Sequence, residues 1–271
     1  MKEKAKEFVV FPIVEIFGRE IGSYQIMAIA GILVAGFYAC RAASKRGHDD
    51  NLMIQLLAIT AAGVFFGGHI LFGLTNSRYF PYLVRALQEG AFVRAGRMFL
   101  ILFGGSVFYG GLLGGLLTGF ICMKKMKLDV PMYTDVLAPV IPLFHFFGRI
   151  GCFLGGCCYG VESSVGFVFT DSLVETANHV RRLPIQLIEA GFNMLLFLLL
   201  AYLLKKAYLQ GRLLMLYLLL YPVIRFILEF WRGDVGRGFI FGLSTSQFIS
   251  MCLFVVIGIQ WIILQKRRRE V

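Results

Sequence analysis

The sequence predicts an all-α polytopic membrane protein that crosses the bilayer about seven times. The chain has 271 residues, of which 58% are hydrophobic and only 16% are charged, whereas roughly 25% charged residues is typical of a soluble domain. The apolar residues also occur in runs of about 20, which is the length that a helix needs to cross the hydrocarbon layer. A water-soluble globular protein is therefore excluded.

Seven apolar runs define the predicted spans. They lie near residues 23–43, 52–74, 98–123, 136–155, 186–204, 213–230 and 244–264. The fourth run contains Pro139 and Pro142, and such interruptions are tolerated where neighbouring helices or a wet cavity satisfy the backbone. We expect one membrane domain over 1–271, with an interfacial N-terminal segment (1–22), a seven-helix core (23–264) and a basic tail (265–271).

The distribution of charge predicts the orientation of the spans. The connections after the first, third and fifth spans and the C-terminal tail are short and rich in Lys and Arg, whereas the longer segments 75–97 and 156–185 mix basic with acidic residues. Because short basic loops stay in the cytoplasm, we expect the N-terminus outside and the C-terminus inside. The net charge of +11 then reflects topology and requires no nucleic-acid partner.

Four ionisable residues interrupt the predicted spans: Arg149, Glu189, Arg225 and Glu229. A charge at the centre of a bilayer costs roughly 2.5 to 3.5 kcal/mol on insertion scales, so such residues face the protein interior and are candidates for function. Arg225 and Glu229 are four positions apart, which places them on one helix face within reach of an ion pair. A purely structural pair that locks helices together is an equal alternative.

A second polar face is predicted at the end of the fourth span. His145, Arg149 and Cys152 are spaced i, i+4 and i+7, so a helix presents them on one side. A planar guanidinium flanked by Gly148 and Gly151 suits the two-pronged binding of a phosphate. The alternative is an arginine that reaches outward to the membrane interface.

Glycine-rich and cysteine-rich segments leave several interpretations open. The glycines of 103–115 and 155–160 favour close helix packing over a phosphate-binding loop. Cys152, Cys157 and Cys158 suggest a disulfide, a catalytic thiol or small packing residues, while a metal site is disfavoured because no C-x-x-C pair accompanies them. His69 and His145, the histidines within spans, are more typical of hydrogen-bonded packing residues than of bases.

Several motifs together resemble the prolipoprotein diacylglyceryl transferase family over nearly the whole chain. They are Ser23–Met27, Tyr109–Gly114, Gly148–Phe153, Arg182–Glu189, the group Arg225, Phe226, Glu229, Phe230, Arg232 and Asp234, and the group Leu243, Ser244, Gln247 and Ser250. No single motif is decisive, but their order on a seven-span frame is specific. The chain departs from the family pattern at Tyr109, Cys152 and Cys157, where the family has histidine, asparagine and an acidic residue, and at His69, where it usually has arginine.

The resemblance implies an enzyme of the bacterial inner membrane with its active site toward the outer leaflet. It implies transfer of the diacylglyceryl group of phosphatidylglycerol to the lipobox cysteine thiol of a preprolipoprotein signal peptide, with release of glycerol 1-phosphate and without a metal or other cofactor. A lipid transporter or flippase, or a lipid-binding membrane protein without catalysis, is the alternative.

The resemblance and the polar residues together define the expected site. The expected catalytic residues are Arg149, Arg225, Glu229, His145 and Tyr109. The expected substrate-binding residues are Tyr24, Gly110, Gly111, Gly148, Cys152, Gly160, Gln186, Glu189 and Gln247. Because a tyrosine with a pKa near 10 is a poor base at neutral pH, we expect that His145 takes up the proton of the acceptor thiol or that no strict base is needed.

Overall fold

The computed structural model describes residues 7–8, 11–234 and 239–269. The helices within these ranges are α1 (Ser23–Ser44), α2 (Asp50–Thr75), α3 (Phe80–Gln88), α4 (Phe92–Phe103), α5 (Phe108–Lys125), α6 (Val130–Leu154), α7 (Ile185–Lys205), α8 (Leu213–Leu228) and α9 (Thr245–Arg269). The chain forms two compact units, a large unit (Met1–Ala39 and Thr134–Val271) and a small unit (Cys40–Tyr133).

Six of the described helices are long and apolar enough to cross a membrane. They are α1, α2, α6, α7, α8 extended to Trp231, and α9 up to Leu264. Their bounds agree with six of the predicted spans. Large apolar side chains on these helices, such as Leu33 and Phe37, stay exposed, as expected of surfaces that face lipid rather than water. The all-α polytopic fold class is therefore confirmed.

The third predicted span, 98–123, is wrong as a single helix. Helix α4 ends at Phe103 and α5 begins at Phe108. Glycine is a poor helix former, and a side chain at Gly105 would collide with the ring of Phe72. The backbone of Val107 instead donates a hydrogen bond to the carbonyl of Gly68 at 3.1 Å. The break divides the run between α4, of 12 residues, and α5, of 18 residues, and six rather than seven of the described helices are both long and apolar enough to be spans.

The small unit is held together by glycine-mediated packing of α2 on α5. A side chain at Gly110 would collide with the carbonyl of Gly67, and one at Gly114 would collide with the carbonyl of Gly63. A side chain at Gly111 would lie 3.1 Å from the carbonyl of Val64. This is the close approach that small residues permit between membrane helices, and it confirms the packing interpretation of this stretch.

Helix α6 runs through both of its prolines without ending. Pro139 and Pro142 lie inside Val130–Leu154, which begins six positions before the predicted span. Asp135 is buried in this helix and accepts hydrogen bonds from the backbone N–H groups of Gly211 and Leu213, the latter at 2.9 Å. The carboxylate thereby satisfies donors at the start of α8, where a helix has no internal partners.

The large unit also contains short strands that the sequence did not predict. They are β1 (Glu7–Phe8), β2 (Ile13–Ile16), β3 (Arg19–Gly22), β4 (Glu162–Phe169), β5 (Arg181–Arg182), β6 (Phe239–Ile240) and β7 (Leu243–Ser244). Strand β4 pairs parallel to β1 and antiparallel to β5, and the pairs β2–β3 and β6–β7 are antiparallel hairpins. The expected loop 156–185 is therefore partly a sheet.

The end of α6 is anchored beneath this sheet. Phe153 packs with the buried residues Tyr159, Phe169 and Ala177. The guanidinium of Arg182 lies 4.3 Å from the centre of the Tyr159 ring and donates to the carbonyl of Thr176 at 2.5 Å. These contacts fix the segment that follows Arg149 and carries the three clustered cysteines.

Candidate active site

The four ionisable residues of the predicted spans meet inside the large unit. Arg149 of α6 places Nη2 2.9 Å from Oε1 of Glu189 on α7. Arg225 of α8 places Nη1 3.5 Å from Oε2 of the same carboxylate and Nη2 2.6 Å from Oε2 of Glu229. The prediction that Arg225 and Glu229 pair at i, i+4 is confirmed. Glu189 joins the two arginines, which the spacing alone did not indicate.

Burial decreases from the glutamates to Arg149. The side chains of Glu189 and Arg225 are 2% and 10% exposed, whereas that of Arg149 is 20% exposed. Two cations and two anions make the cluster formally neutral, which offsets the desolvation of the individual charges. Because Arg149 turns inward to Glu189, the alternative of an arginine that reaches only to the membrane interface is wrong.

Three further polar residues hold the cluster and were missed as site residues by sequence analysis. Ser246 accepts a hydrogen bond from Nη2 of Arg225 at 3.2 Å, and Tyr221 donates to Oε1 of Glu189 at 3.4 Å. Asn193 donates to the main-chain carbonyl of Glu189 at 2.9 Å. Tyr221 precedes Arg225 by four positions, and Asn193 follows Glu189 by four. Helical spacing was therefore the signal that could have found Tyr221 and Asn193.

His145 lies on the same side of α6 as Arg149. Its Nδ1 is 3.3 Å from the hydroxyl of Tyr217, and its ring centre lies 5.4 Å from that of Tyr221. The charges of Arg149 and Glu189 act on the imidazole. The histidine is therefore adjacent to the ionic cluster, while its partner Tyr217 is the hydrogen-bond contact expected of a packed histidine.

The Arg149 side chain is partly accessible, with 20% of its surface exposed. At the preceding Gly148, no described atom other than its chain neighbours and the backbone of its own helix lies within 4 Å of where a side chain would begin. One turn along, a side chain at Gly151 would lie 3.2 Å from the backbone of Tyr24, so α1 packs closely there. The side chain of Tyr24 is half exposed at the start of α1. A charged head group can thus approach the accessible part of the Arg149 guanidinium.

Gln186 and Gly160 lie in the segments around the end of α6. Gln186 is fully buried, and its Nε2 donates to the carbonyl of Cys157 at 2.8 Å. Its Oε1 has no hydrogen-bond partner among the residues that the structure describes. Gly160 pairs with Arg232 in an isolated bridge, and a side chain there would collide with the carbonyl of Leu183. Gly160 is thus required for packing, and Gln186 holds the turn at Cys157 from a fully buried position.

Gln247 has a structural explanation at the start of α9. Its Oε1 accepts a hydrogen bond from the backbone of Ser244 at 3.0 Å, and its own N–H donates to the hydroxyl of Ser244 at 3.2 Å. This reciprocal arrangement is a capping box. A contact of Gln247 with a substrate stays a prediction, as it does for Gly110 and Gly111 in the small unit.

Tyr109 opens α5 in the small unit, and its side chain lies outside the described part of the structure. Its expected catalytic role stays a prediction. His69, in the same unit, places Nδ1 2.7 Å from the carbonyl of Phe103. It is therefore the hydrogen-bonded packing residue that its position in a span predicts.

Three cysteine thiols lie together in the neighbourhood of Arg149. The Sγ atoms of Cys152, Cys157 and Cys158 are all within 4.8 Å of one another, and none of the three is in a disulfide. Hydrogen bonds from the other two thiols lower the pKa of Cys158, and the positive charges of Arg232 and Arg149 act in the same direction. The cluster therefore borders the ionic network.

Comparison with known proteins places the whole chain in one group. The family model for prolipoprotein diacylglyceryl transferase matches residues 12–264. A phosphatidylglycerol–prolipoprotein diacylglyceryl transferase of Clostridium tetani is 34% identical over 250 residues, which cover 90% of this chain and 93% of the relative. The enzyme of Clostridium perfringens named phosphatidylglycerol–prolipoprotein diacylglyceryl transferase 2 is 34% identical over 247 residues, which cover 90% of this chain and 90% of the relative. The phosphatidylglycerol–prolipoprotein diacylglyceryl transferase of Geobacter sulfurreducens is 31% identical over 255 residues, covering 91% of each.

Proposed function

The chain belongs to the prolipoprotein diacylglyceryl transferase family, and we propose that its buried arginine–glutamate cluster is the centre at which a diacylglyceryl group passes from phosphatidylglycerol to a prolipoprotein. The long apolar helices make it a multi-pass bacterial membrane protein. The single observation that carries the proposal is the pairing of Arg149 and Arg225 through one buried carboxylate, Glu189. The transporter and flippase alternatives are not favoured by the relatives.

Arg149 is proposed to bind the phosphate of the donor lipid. Its Nη2 is engaged by Glu189, but a guanidinium has five N–H donors in a rigid plane, so further donors can face a phosphate oxygen. The side chain is 20% exposed, and the space beside Gly148 is open. When the carbon–oxygen bond of the donor breaks, negative charge develops on the departing phosphate oxygen, and fixed positive charge stabilises it.

Arg225 and Glu229 are proposed to position the phosphate-binding group. Arg225 contacts Glu189, Glu229 and Ser246 and is more buried than Arg149. It holds the Glu189 carboxylate in place, so that Glu189 in turn orients Arg149. Arg149 therefore contacts the lipid phosphate, and Arg225 acts on it indirectly through Glu189.

The acceptor is proposed to be the thiol of the lipobox cysteine in a preprolipoprotein signal peptide. The thiol sulfur attacks the diacylglyceryl carbon, a carbon–sulfur bond forms, and the carbon–oxygen bond to phosphate breaks with its electron pair on oxygen. His145 takes up the thiol proton, and glycerol 1-phosphate leaves. Gln186, which is fully buried and donates to the carbonyl of Cys157, is proposed to support the segment that the peptide contacts.

The site is proposed to face the outer leaflet of the bacterial inner membrane, with the N-terminus outside and the C-terminus in the cytoplasm. The support is the density of Lys and Arg in the short connections and in the tail, since such segments are retained in the cytoplasm. Tyr24, at the half-exposed start of α1, would then lie near the polar head groups where donor and acceptor enter.

The experiment uses the purified protein in lipid nanodiscs. Phosphatidylglycerol labelled in its head group is supplied with a lipobox peptide that contains cysteine, or with the matched peptide that contains serine. We expect release of labelled glycerol phosphate and an equal amount of peptide that has gained a diacylglyceryl mass, with the cysteine peptide only. Lipid binding or lipid movement across the bilayer without any covalent peptide product would overturn the proposal.

A further inference from the structure

We propose that Cys152, Cys157 and Cys158 form a binding site for a thiophilic divalent cation of the zinc type, with one coordination position open beside Arg149. The role assigned to that open position rests on the function proposed above, whereas the metal site itself does not.

The three sulfurs have the spacing of ligands to a single ion. Their Sγ atoms lie within 4.8 Å of one another. A zinc–sulfur bond is about 2.3 Å long, so two sulfurs on one tetrahedral ion are about 3.8 Å apart. The separations in the structure therefore exceed those on one tetrahedral ion by at most about 1 Å. The sequence disfavours a metal because it lacks a C-x-x-C pair. The proximity of the three sulfurs in the structure outweighs that argument.

The backbone is shaped to bring the three thiols together. Cys152 lies in the last turn of α6, and the N–H of Cys157 donates to its carbonyl at 3.1 Å. Gly156 has φ +69° and Cys158 has φ +54°. A residue with a Cβ atom rarely adopts the left-handed conformation, which persists where the surrounding structure holds it and is concentrated at functional sites. The strained turn at Cys158 directs the chain back over the end of α6.

Neighbouring side chains hold this turn from behind. Gln186 donates to the carbonyl of Cys157 at 2.8 Å, and Ser172 donates to the carbonyl of Gly156 at 3.0 Å. Both of these residues are buried. Groups that fix the orientation of the ligands in this way raise the metal affinity of a site.

Charge and ligand number favour an ion with an open position. Three thiolates and one divalent cation carry a net charge of −1. Among the residues that the structure describes, no histidine or carboxylate joins the three sulfurs as a fourth ligand. Three protein ligands with a vacant fourth place are typical of catalytic rather than structural zinc.

The open position is suited to the acceptor thiol. A thiol that coordinates zinc is deprotonated outright, and its proton passes to His145 or to water. An ion held by Cys152, Cys157 and Cys158 would thereby supply a thiolate for attack on the diacylglyceryl carbon, while Arg149 would hold the phosphate that leaves with the electron pair of the carbon–oxygen bond. The thioether product would be a weaker ligand than a thiolate, and the ion would be neither oxidised nor reduced.

The test measures metal directly in the protein purified in nanodiscs with its thiols reduced. We expect about one equivalent of Zn²⁺ to bind, and Co²⁺ in its place to give a sulfur-to-cobalt charge-transfer absorption. Cys152→Ser, Cys157→Ser and Cys158→Ser should each weaken binding at least about tenfold. Cys252→Ser, which changes an exposed cysteine of α9, should leave binding unchanged.

Two results would overturn the metal site. One is the failure of fully reduced protein to bind either ion although all three thiols react with a thiol reagent. The other is a disulfide among these cysteines in the active protein, detected by mass spectrometry of its peptides. Melting temperatures of the serine variants close to that of the parent would show that lost binding is not lost folding.

A transfer assay separates this inference from the proposed function. Transfer by the zinc-loaded protein that falls after chelation and returns with Zn²⁺ supports both. Undiminished transfer after chelation would overturn the role of the ion and leave the transferase intact. Bound zinc without transfer under any loading would overturn the proposed function and leave the metal site standing.

Discussion

Replacement of Glu189 by glutamine should strongly destabilise the protein, because this carboxylate balances two buried arginines. The ion pairs at 2.9 and 3.5 Å correspond to Coulomb energies of about 6 and about 5 kcal/mol at an effective dielectric constant of 20. Much of this offsets the desolvation of the charges. Removal of one partner from a buried pair therefore costs about 3–5 kcal/mol, since a buried charge is left uncompensated. The variant removes the carboxylate that pairs with Arg149 and leaves Arg225 paired with Glu229.

The chain contains a matched control for this substitution. Glu89 also bridges two arginines, Arg85 at 2.9 Å and Arg94 at 2.8 Å, but its side chain is 40% exposed. Ion pairs that water can screen contribute about 0–1 kcal/mol, so Glu89→Gln should be nearly neutral. Thermal unfolding in nanodiscs should show a decrease of about 6–20 °C for Glu189→Gln, by the scaling for chains of this size. Equal melting temperatures for the two variants would refute the argument that burial makes the Glu189 bridge essential.

Three further outcomes follow from the site. Arg149→Lys keeps the positive charge but loses the planar guanidinium, which can donate two parallel hydrogen bonds to a phosphate. The KM for phosphatidylglycerol should therefore rise about 10- to 100-fold in transfer kinetics. The control Arg181→Lys should leave this KM unchanged. His145→Gln should lower kcat at neutral pH by about 100-fold or more and flatten its dependence on pH, and an unaltered kcat would remove this histidine from the proton route. Gly156→Ala forces a side chain into a left-handed position with φ +69° and should lower stability by at least about 1 kcal/mol. Gly191→Ala, in an open helical position, should be neutral or stabilising in the same unfolding experiment. Equal stability of these two alanine variants would contradict the argument that the left-handed backbone at position 156 requires glycine.

Signals that are local in sequence predicted most of the fold. An apolar run of about 20 residues reflects the thickness of the bilayer directly, so six spans could be located from composition alone. The break between α4 and α5 depends on the approach of Phe72 to Gly105 and on a hydrogen bond from Val107 to Gly68. Because those contacts join residues far apart in the chain, no pattern within 98–123 revealed them.

The small sheet was missed for a related reason. Strand β4 pairs with β1, which lies more than 150 positions earlier, and with only two residues of β5. Strands of two residues have no periodicity of their own. Their position is decided by the buried contacts of Tyr159 and Phe169 under the loop.

The candidate site was predicted residue by residue but not as an arrangement. The cost of a charge in a membrane singled out Arg149, Glu189, Arg225 and Glu229, and the structure brings all four together. That Glu189 contacts both arginines depends on how α6, α7 and α8 pack, which spacing within one helix does not encode. Likewise, the convergence of the three thiols depends on the left-handed turn at Cys158.

The most direct test of the central claim is the kcat/KM for transfer of the diacylglyceryl group from phosphatidylglycerol to a lipobox peptide, compared between Arg149→Ala and Arg181→Ala. Both variants remove an arginine of the large unit, but the side chain of Arg181 donates to the carbonyl of Ser164 at 2.7 Å in the exposed part of the sheet. We predict that Arg149→Ala loses at least about 100-fold in kcat/KM, in line with the removal of one preorganised donor to a developing anion, while Arg181→Ala stays within about twofold of the parent. A folded Arg149→Ala protein that transfers as well as Arg181→Ala would contradict the assignment of the donor phosphate to this cluster.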